Sequence, residues 1–320
     1  MNSQISVSYT KQRVANGTLL GHFLSRNVWG NLVEQKSDCL YDAVVRRYIS
    51  PYCDDVNKLS NRDVLRSIYR LISRQYRNEY FYRNELLRHF TSEHSKTRDA
   101  IALSQLKVGR SRADFVLLNG TAAIYEIKTD QDTFFRLDAQ LTDYYKAFPF
   151  VYVVVGQSHL ADAMSRYGGT DVGICKFTPQ RKFQCVKEAK EKRAELCHKT
   201  MFDVLHVEEL GFVMSYLGLP SCANVEFDAY SKKLRMFSSV DMDTLYPVFQ
   251  MALKSRMKRL SWSLFRRWPP ELAALAYFWS DRVPVTPAID GFLESRYEQF
   301  DKDKNKLERM QNVCGLLSIL

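Results

Sequence analysis

Asp114, Glu126 and Lys128 are the residues of this sequence whose types and spacing could do phosphoryl chemistry together. Glu126 and Lys128 lie two apart at the end of Ala122–Lys128, an apolar run that reads as a strand. Side chains alternate faces along a strand, so these two project the same way while Ile127 points into the opposite layer. Asp114 lies in a second strand-like run, Ala113–Leu118, joined to the first through Asn119-Gly120. Asn-Gly is the strongest short hairpin signal, because both residues tolerate positive φ. Two carboxylates on adjacent strands, near one sheet face, can share a divalent cation. Mg²⁺ takes few hard oxygen ligands and keeps waters, which leaves room for a phosphate oxygen and an attacking water. A neighbouring lysine can orient or deprotonate that water and offset charge developing on phosphorus. The expectation is that all three groups converge at a solvent-accessible sheet edge. Glu-x-Lys alone is a weak signal, since a second copy at Glu188–Lys190 falls in a run expected to be a surface helix.

The surrounding elements must position these groups. Val28–Val33 and Cys39–Ile49 read as short helices, the second broken by Ser50-Pro51. Ser60-Asn61-Arg62-Asp63 opens a longer one, with Ser60 or Asn61 as its N-cap and Leu65, Ile68, Ile72 and Tyr76 on one face. A helix near Phe81–Thr91 carries Glu85 and directs Leu86, Leu87 and Phe90 inward. Ile101–Val108 is a strand, followed by the basic turn Gly109-Arg110-Ser111-Arg112 and the hairpin above. Thr133–Phe148 reads as a helix stopped by Pro149, and Phe150–Val155 as a strand buried on both sides. A short helix at Leu160–Tyr167, a last strand at Val172–Phe177 and a charged helix at Val186–Leu196 complete the core. Asp130, Asp132, Asp138 and Asp143 read as helix-start and surface charges. Beyond residue 197 the pattern is helical, with Leu245–Trp268 mixing basic and aromatic residues. The order describes an α/β mixed sheet flanked by helices, with helical N- and C-terminal additions. The expected division is 1–79 (helical, with the arginine-rich helix), 80–196 (the sheet core) and 197–320 (helical).

Charge placement points to a polyanion. The formal charge is +10, and residues 61–112 hold twelve Lys/Arg against five Asp/Glu, whereas 196–320 hold sixteen basic and fifteen acidic groups. Arg62, Arg66, Arg70, Arg74 and Arg77 cluster on one helix face. Guanidinium groups grip phosphate oxygens bidentately, although a solvated face is the commoner fate of such a stripe. Arg110 and Arg112 of the basic turn join them as candidate nucleic-acid contacts.

Several classes are disfavoured. Seven cysteines, odd in number and without CxxC pairing, argue against a disulfide scaffold or zinc knuckle. The six histidines show no ligand spacing, and there is no Walker phosphate loop. The first residues carry no apolar run fit for a signal peptide, and the longest apolar stretch, Leu272–Trp279, is far below the roughly 20 residues a membrane span needs. A cytoplasmic protein with no membrane partner is the expectation.

The stretch RADFVLLNGTAAIYEIK (Arg112–Lys128) resembles the core of the PD-(D/E)XK, or restriction-endonuclease-like, nuclease superfamily. It resembles more narrowly an uncharacterised bacterial group of similar length, and the nuclease-like region covers roughly residues 80–195. The resemblance implies a metal-dependent nuclease using Mg²⁺ or Mn²⁺, acting on nucleic acid with DNA favoured over RNA, in bacterial genome defence or repair. Asp114 and Glu126 would be the metal ligands and Lys128 the catalytic lysine. Glu85 would match the extra acid on the helix before the sheet. Gln140, and Arg136 one turn earlier, would match polar positions beside the site. The proline of the superfamily's name is replaced by Ala113, which has no part in the chemistry. A non-catalytic nucleic-acid-binding module with the same fold is the alternative.

Overall fold

In a computed structural model, residues 18–33, 38–93, 100–220, 229–256, 268–279 and 286–297 are described. The chain forms two compact units, one of residues 1–71 and 284–320, the other of 72–283.

In the first unit, α1 (Thr18–Phe23), α2 (Arg26–Val33) and α3 (Cys39–Tyr48) precede α4 (Asn61–Gln75), whose last turn belongs to the second unit. Asp38 caps α3 by accepting the N–H groups of Leu40 and Tyr41. Ser60 caps α4: its hydroxyl oxygen accepts the Asp63 N–H at 3.1 Å and its O–H donates back to the Asp63 carboxylate. The C-terminal stretch returns to this unit. The Asn61 amide donates to Phe292 O at 3.1 Å, the Tyr297 hydroxyl donates to Asp42 at 2.7 Å, and Arg62 pairs with Glu294. The compact division therefore does not follow the linear order of the sequence.

The second unit is an α/β structure built on a six-stranded mixed sheet in the order β1 (Ile101–Val108), β2 (Ser111–Asn119), β3 (Thr121–Lys128), β4 (Phe150–Val155), β5 (Gly173–Phe177), β6 (Phe183–Lys187). The first three strands and the last pair run antiparallel, while β3–β4 and β4–β5 are parallel. The two parallel crossovers carry α6 (Leu137–Tyr145) and α7 (Leu160–Tyr167). Ala122, Ile124, Val151, Val153 and Val155 pack with Leu137, Leu141 and Tyr144. Met201, Phe202, Val213, Phe237, Leu245, Phe249 and Leu253 extend the same core. They come from α8 (His198–Val204), α9 (Val207–Tyr216), α10 (Ala229–Ser238) and α11 (Met242–Lys254). On the other side of the sheet, α5 (Glu79–Glu93) sets Phe90 against Phe115, Tyr125 and Phe183. α12 (Ala273–Trp279) packs on α5, and α13 (Thr286–Glu294) belongs to the first unit.

Several expectations need correction. Of Asn119 and Gly120 only Gly120 has positive φ, because Asn119 still pairs with Thr121 as the last rung of the ladder. α6 starts at Leu137 rather than Thr133, since a turn closed by Asp132 on Thr129 occupies the preceding residues. The run Val186–Leu196 is not an α-helix; its only helical part is the single 3-10 turn Arg193–Glu195. Phe183–Lys187 pairs with β5 as a sixth strand, and the extended chain beyond is held by Lys190 N–H to Asp171 O and Lys192 N–H to Pro149 O. Tertiary pairing overrides the helix propensity of that lysine- and glutamate-rich run. Of the expected Leu245–Trp268 helix, α11 is present, and 257–267 lie outside the described residues.

Candidate active site

β3 ends in Glu126-Ile127-Lys128, with Glu126 and Lys128 on the face covered by α6. The Lys128 ammonium donates to Glu126 Oε1 at 3.1 Å and to Gln140 Oε1 at 2.9 Å. The Gln140 amide in turn donates to Glu126 Oε1 at 2.6 Å, closing a three-residue ring. One turn further along α6, the Tyr144 hydroxyl lies 2.7 Å from Glu126 Oε2 and 2.9 Å from the Arg112 carbonyl oxygen. A hydroxyl has one proton for these two acceptors. The Tyr144 O–H therefore donates to Glu126 Oε2 or to the Arg112 carbonyl, one at a time.

Asp114 lies across from Glu126 on β2. Its Oδ2 accepts the Ile127 N–H at 2.9 Å and its Oδ1 accepts the Gln105 amide at 3.1 Å. Gln105 also donates to Glu79 at 2.8 Å, so one neutral amide joins two acids. It reaches them from a backbone with φ of 55° inside β1, and no register pair forms between Ser104↔Phe115 and Leu106↔Ala113. A left-handed residue that is not glycine costs about 1–3 kcal/mol, and such strain clusters at functional sites.

Of these groups Glu79, Asp114, Glu126 and Lys128 line one cavity of about 340 Å³, together with Tyr76, Asn78, Thr129, Gln131 and Asp132. Burial, then repulsion from Glu126 and Glu79, holds the Asp114 carboxyl well above its usual range. Burial also raises Glu126, outweighing the opposing pull of Lys128 and the hydrogen bonds from Tyr144, Lys128 and Gln140. The Tyr144 phenol is pushed up, first by its own burial and then by Glu126. Among the described residues no three His, Cys, Asp or Glu side chains form a ready-made metal cage.

The structure brings together Asp114, Glu126, Lys128 and Gln140 as expected from the sequence, but not at an open edge. Glu126 is 2% exposed and Lys128 9%, while Asp114 is half-buried. Glu85 does not line the cavity: it is buried and pairs with Arg88 at 2.8 Å. Glu79, in the first turn of the same helix, takes that place. The helix begins earlier than the sequence suggested, and its N-terminal end reaches the site. The four aspartates that follow are acceptors of specific bonds. Asp130 accepts from Ser158, Asp132 from Thr129, Asp138 from Tyr167 and Asp143 from Ser111. A β-carbon at Gly156 would displace the Asp130 carboxylate and crowd the Tyr82 hydroxyl.

The arginines divide. Arg66, Arg70 and Arg74 are exposed. Arg62 is half-buried against Glu294. Arg77 is not a free surface cation: it donates to the carbonyls of Ser73, Thr178 and Pro179 at 2.7–2.9 Å and covers the Phe81 ring. Arg110, Arg112 and Arg136 are exposed, and Arg112 also donates to Gln105 O at 2.9 Å. Glu188, expected on a surface helix, accepts the Tyr152 hydroxyl from an extended segment.

The fold and site define an α/β protein with a mixed sheet whose central strands enclose a carboxylate–lysine–glutamine cluster. A family model for bacteriophage P4 protein cII matches residues 73–273, and the chain belongs to that family. A solved structure, the SPO1766 protein of unknown function from Silicibacter pomeroyi, is 14% identical; the match covers 45% of this chain and 93% of that one, with a TM-score of 0.29. No curated protein matches the chain. Among the described residues no helix is long and apolar enough to cross a membrane.

Proposed function

We propose that this chain is a Mg²⁺- or Mn²⁺-dependent phosphodiesterase acting on DNA. The observation that carries the reading is the convergence of Asp114, Glu126 and Lys128 on one cavity, with Lys128 held between Glu126 and Gln140.

The donor set fits a hard cation. Four carboxylates, of Glu79, Asp114, Glu126 and Asp132, line the cavity against one ammonium, and burial first, then repulsion from Glu126 and Glu79, raises the affinity of Asp114 for a proton. A divalent ion would relieve the same repulsion. Mg²⁺ needs only one or two carboxylates and keeps its waters, so two oxygen donors from neighbouring strands suffice for it. Asp114 and Glu126 would hold the ion, which when bound polarises a phosphate oxygen and acidifies a bound water.

The remaining work falls to the chain. An ammonium has three protons, and Lys128 gives two to Glu126 and Gln140. The third is available to an attacking water or a phosphate oxygen in the cavity. Gln140 fixes the direction of that ammonium, and Tyr144 braces the Glu126 carboxylate from the other side. Water oxygen bonds to phosphorus and gives up a proton to solvent as the bridging ester oxygen leaves with its electron pair and takes up a proton from solvent, while Lys128 offsets the charge that builds up.

A second reading, a nucleic-acid-binding module without turnover, draws on one observation: every carboxylate oxygen of Asp114 and Glu126 already has a hydrogen-bond partner. Incubation with plasmid and with single-stranded DNA, in Mg²⁺, Mn²⁺ or EDTA, separates the two. Metal-dependent cutting supports the enzyme. Binding without cutting in either metal supports the module.

A further inference from the structure

Phe135 is 90% exposed, more than any other large hydrophobic residue described, while its neighbour Phe134 is 5% exposed. This is not the looseness of an untethered loop. Upstream, Asp132 accepts both the N–H and the hydroxyl of Thr129 at 2.8 Å. Downstream, the Leu137 N–H donates to Phe134 O at 3.0 Å and Leu137 is fully buried. The Phe134 ring lies against His159 and Tyr167, with the Arg166 guanidinium over it. A stiff turn anchored on both sides therefore holds the Phe135 ring out in water.

The turn also fixes where the ring stands. Asp132 lines the cavity, and three residues of chain span at most about 11 Å, so the Phe135 backbone is within that distance of the cavity wall. Arg136, the next residue, is exposed and one helical turn before Gln140, which bonds Lys128 and Glu126. An aromatic face and a cation thus stand side by side at the approach to the carboxylates. That pairing suits a nucleotide strand, with the base against the ring and a phosphate against the guanidinium.

We propose that Phe135 is a stacking platform for an unpaired base, so that the site takes single-stranded DNA. The presence of a phosphate in the cavity rests on the nuclease reading above. The stacking itself does not need cleavage. In a duplex the base faces are already covered by their neighbours, so a ring held out on a rigid turn has nothing to stack on unless the strand is open. Every base has a π-face, so the contact should tolerate sequence changes.

The probe is a single-stranded DNA oligonucleotide carrying 2-aminopurine, whose fluorescence falls on stacking, together with its duplex. The full chain is titrated in EDTA and again in Ca²⁺. Wild type should bind the single strand and quench the probe. Phe135→Ala should lose the quenching and weaken single-strand affinity by roughly five- to a hundredfold. Phe135→Trp should retain both. Because the ring buries so little surface, both variants should melt with wild type, so lost binding cannot be lost fold. Equal affinity and quenching in Phe135→Ala, binding of duplex alone, or no binding of the single strand by wild type would each overturn the proposal. Metal-dependent cutting by wild type is scored separately. Cutting without Phe135-dependent quenching removes only the stacking role, and quenching without cutting in Mg²⁺ or Mn²⁺ removes only the nuclease reading.

Discussion

The Asp114 carboxylate accepts the backbone N–H of Ile127 at 2.9 Å, at the point where β2 and β3 cease to pair. Their register runs from Asn119↔Thr121 to Phe115↔Tyr125 and stops, whereas β3 stays paired with β4 through Lys128. A side chain thus replaces a missing rung, and the cavity lies where the two strands have separated. Asp114 serves the fold and the candidate site at once.

Asparagine and alanine should therefore differ at position 114. Asp114→Asn keeps an oxygen for the Ile127 N–H, so it should fold much as wild type while binding Mg²⁺ at least about tenfold more weakly. Asp114→Ala should bind as poorly and also lose about 1–3 kcal/mol for the unsatisfied amide. Urea unfolding and titration calorimetry on both variants measure this. Equal stability of the two would show that the Ile127 bond does not matter.

The Glu126–Lys128 pair makes a harder demand. Removing the carboxylate strands a buried ammonium, so Glu126→Ala should cost about 3–5 kcal/mol rather than leave the fold intact. Glu126→Gln, which still accepts from Lys128, should cost much less. A Glu126→Ala protein as stable as wild type in urea would contradict the burial of this pair.

The pH dependence follows from two carboxyls raised above their ordinary values of 3.8 and 4.5. A raised acid binds its proton more tightly in the folded state, so its contribution is complete below the unfolded pKa and is lost as pH climbs through the folded one. Metal-free protein should accordingly lose this share of its stability on the alkaline side of the ordinary carboxylate range. Mg²⁺ affinity should rise over the same interval, because ligation displaces the protons. Asp143 works in the opposite sense. Burial raises it, but Ser111, the Arg110 N–H and Lys146 outweigh that and hold it low, so its contribution is lost as pH falls. Melting curves of metal-free wild type and an Asp114→Asn, Glu126→Gln double variant should converge at low pH and diverge as pH rises. Parallel curves would remove the carboxyl pair as the cause.

The arginine helix separates into two experiments. Reversing Arg66, Arg70 and Arg74 to Glu should weaken DNA binding and flatten its salt dependence, since each phosphate contact adds to counterion release. Arg77→Ala should instead lower stability, because its guanidinium joins α4's last turn to the carbonyls after β5. Unchanged affinity in the triple variant would return that face to plain solvation. Unchanged melting of Arg77→Ala would remove its structural role.

Much of the sheet was legible because its signals are local. The alternation in Ala122–Lys128 placed Glu126 and Lys128 on one face, and Gly120 marked the turn. Gln140 followed from the superfamily resemblance alone. What escaped depends on contacts distant in sequence. Gln105 looks like any strand residue until its positive φ turns the amide between Glu79 and Asp114. Glu79 and Glu85 are both acids on one helix, and only the packing of α5 tells which reaches the cavity. Tyr144 stands one turn after Gln140, and that spacing is the signal that flags its hydroxyl. The lysine-rich run after Val186 has helix-forming composition, but the free edge of β5 draws its first residues into the sheet.

Cleavage by wild type and Lys128→Ala, side by side on supercoiled plasmid and on single-stranded DNA over a range of Mg²⁺ and Mn²⁺, tests the central proposal most directly. Calorimetry on the same samples reports metal binding. Wild type should cut only with metal, and Lys128→Ala should still bind the ion yet lose turnover by roughly a hundredfold or more. Lys128→Arg should fail as well, since a planar guanidinium does not reproduce the ammonium's geometry between Glu126 and Gln140. If wild type cuts and Lys128→Ala cuts equally well, the chemistry lies elsewhere in the chain; if wild type binds DNA and never cuts it with either metal, the enzyme reading is wrong.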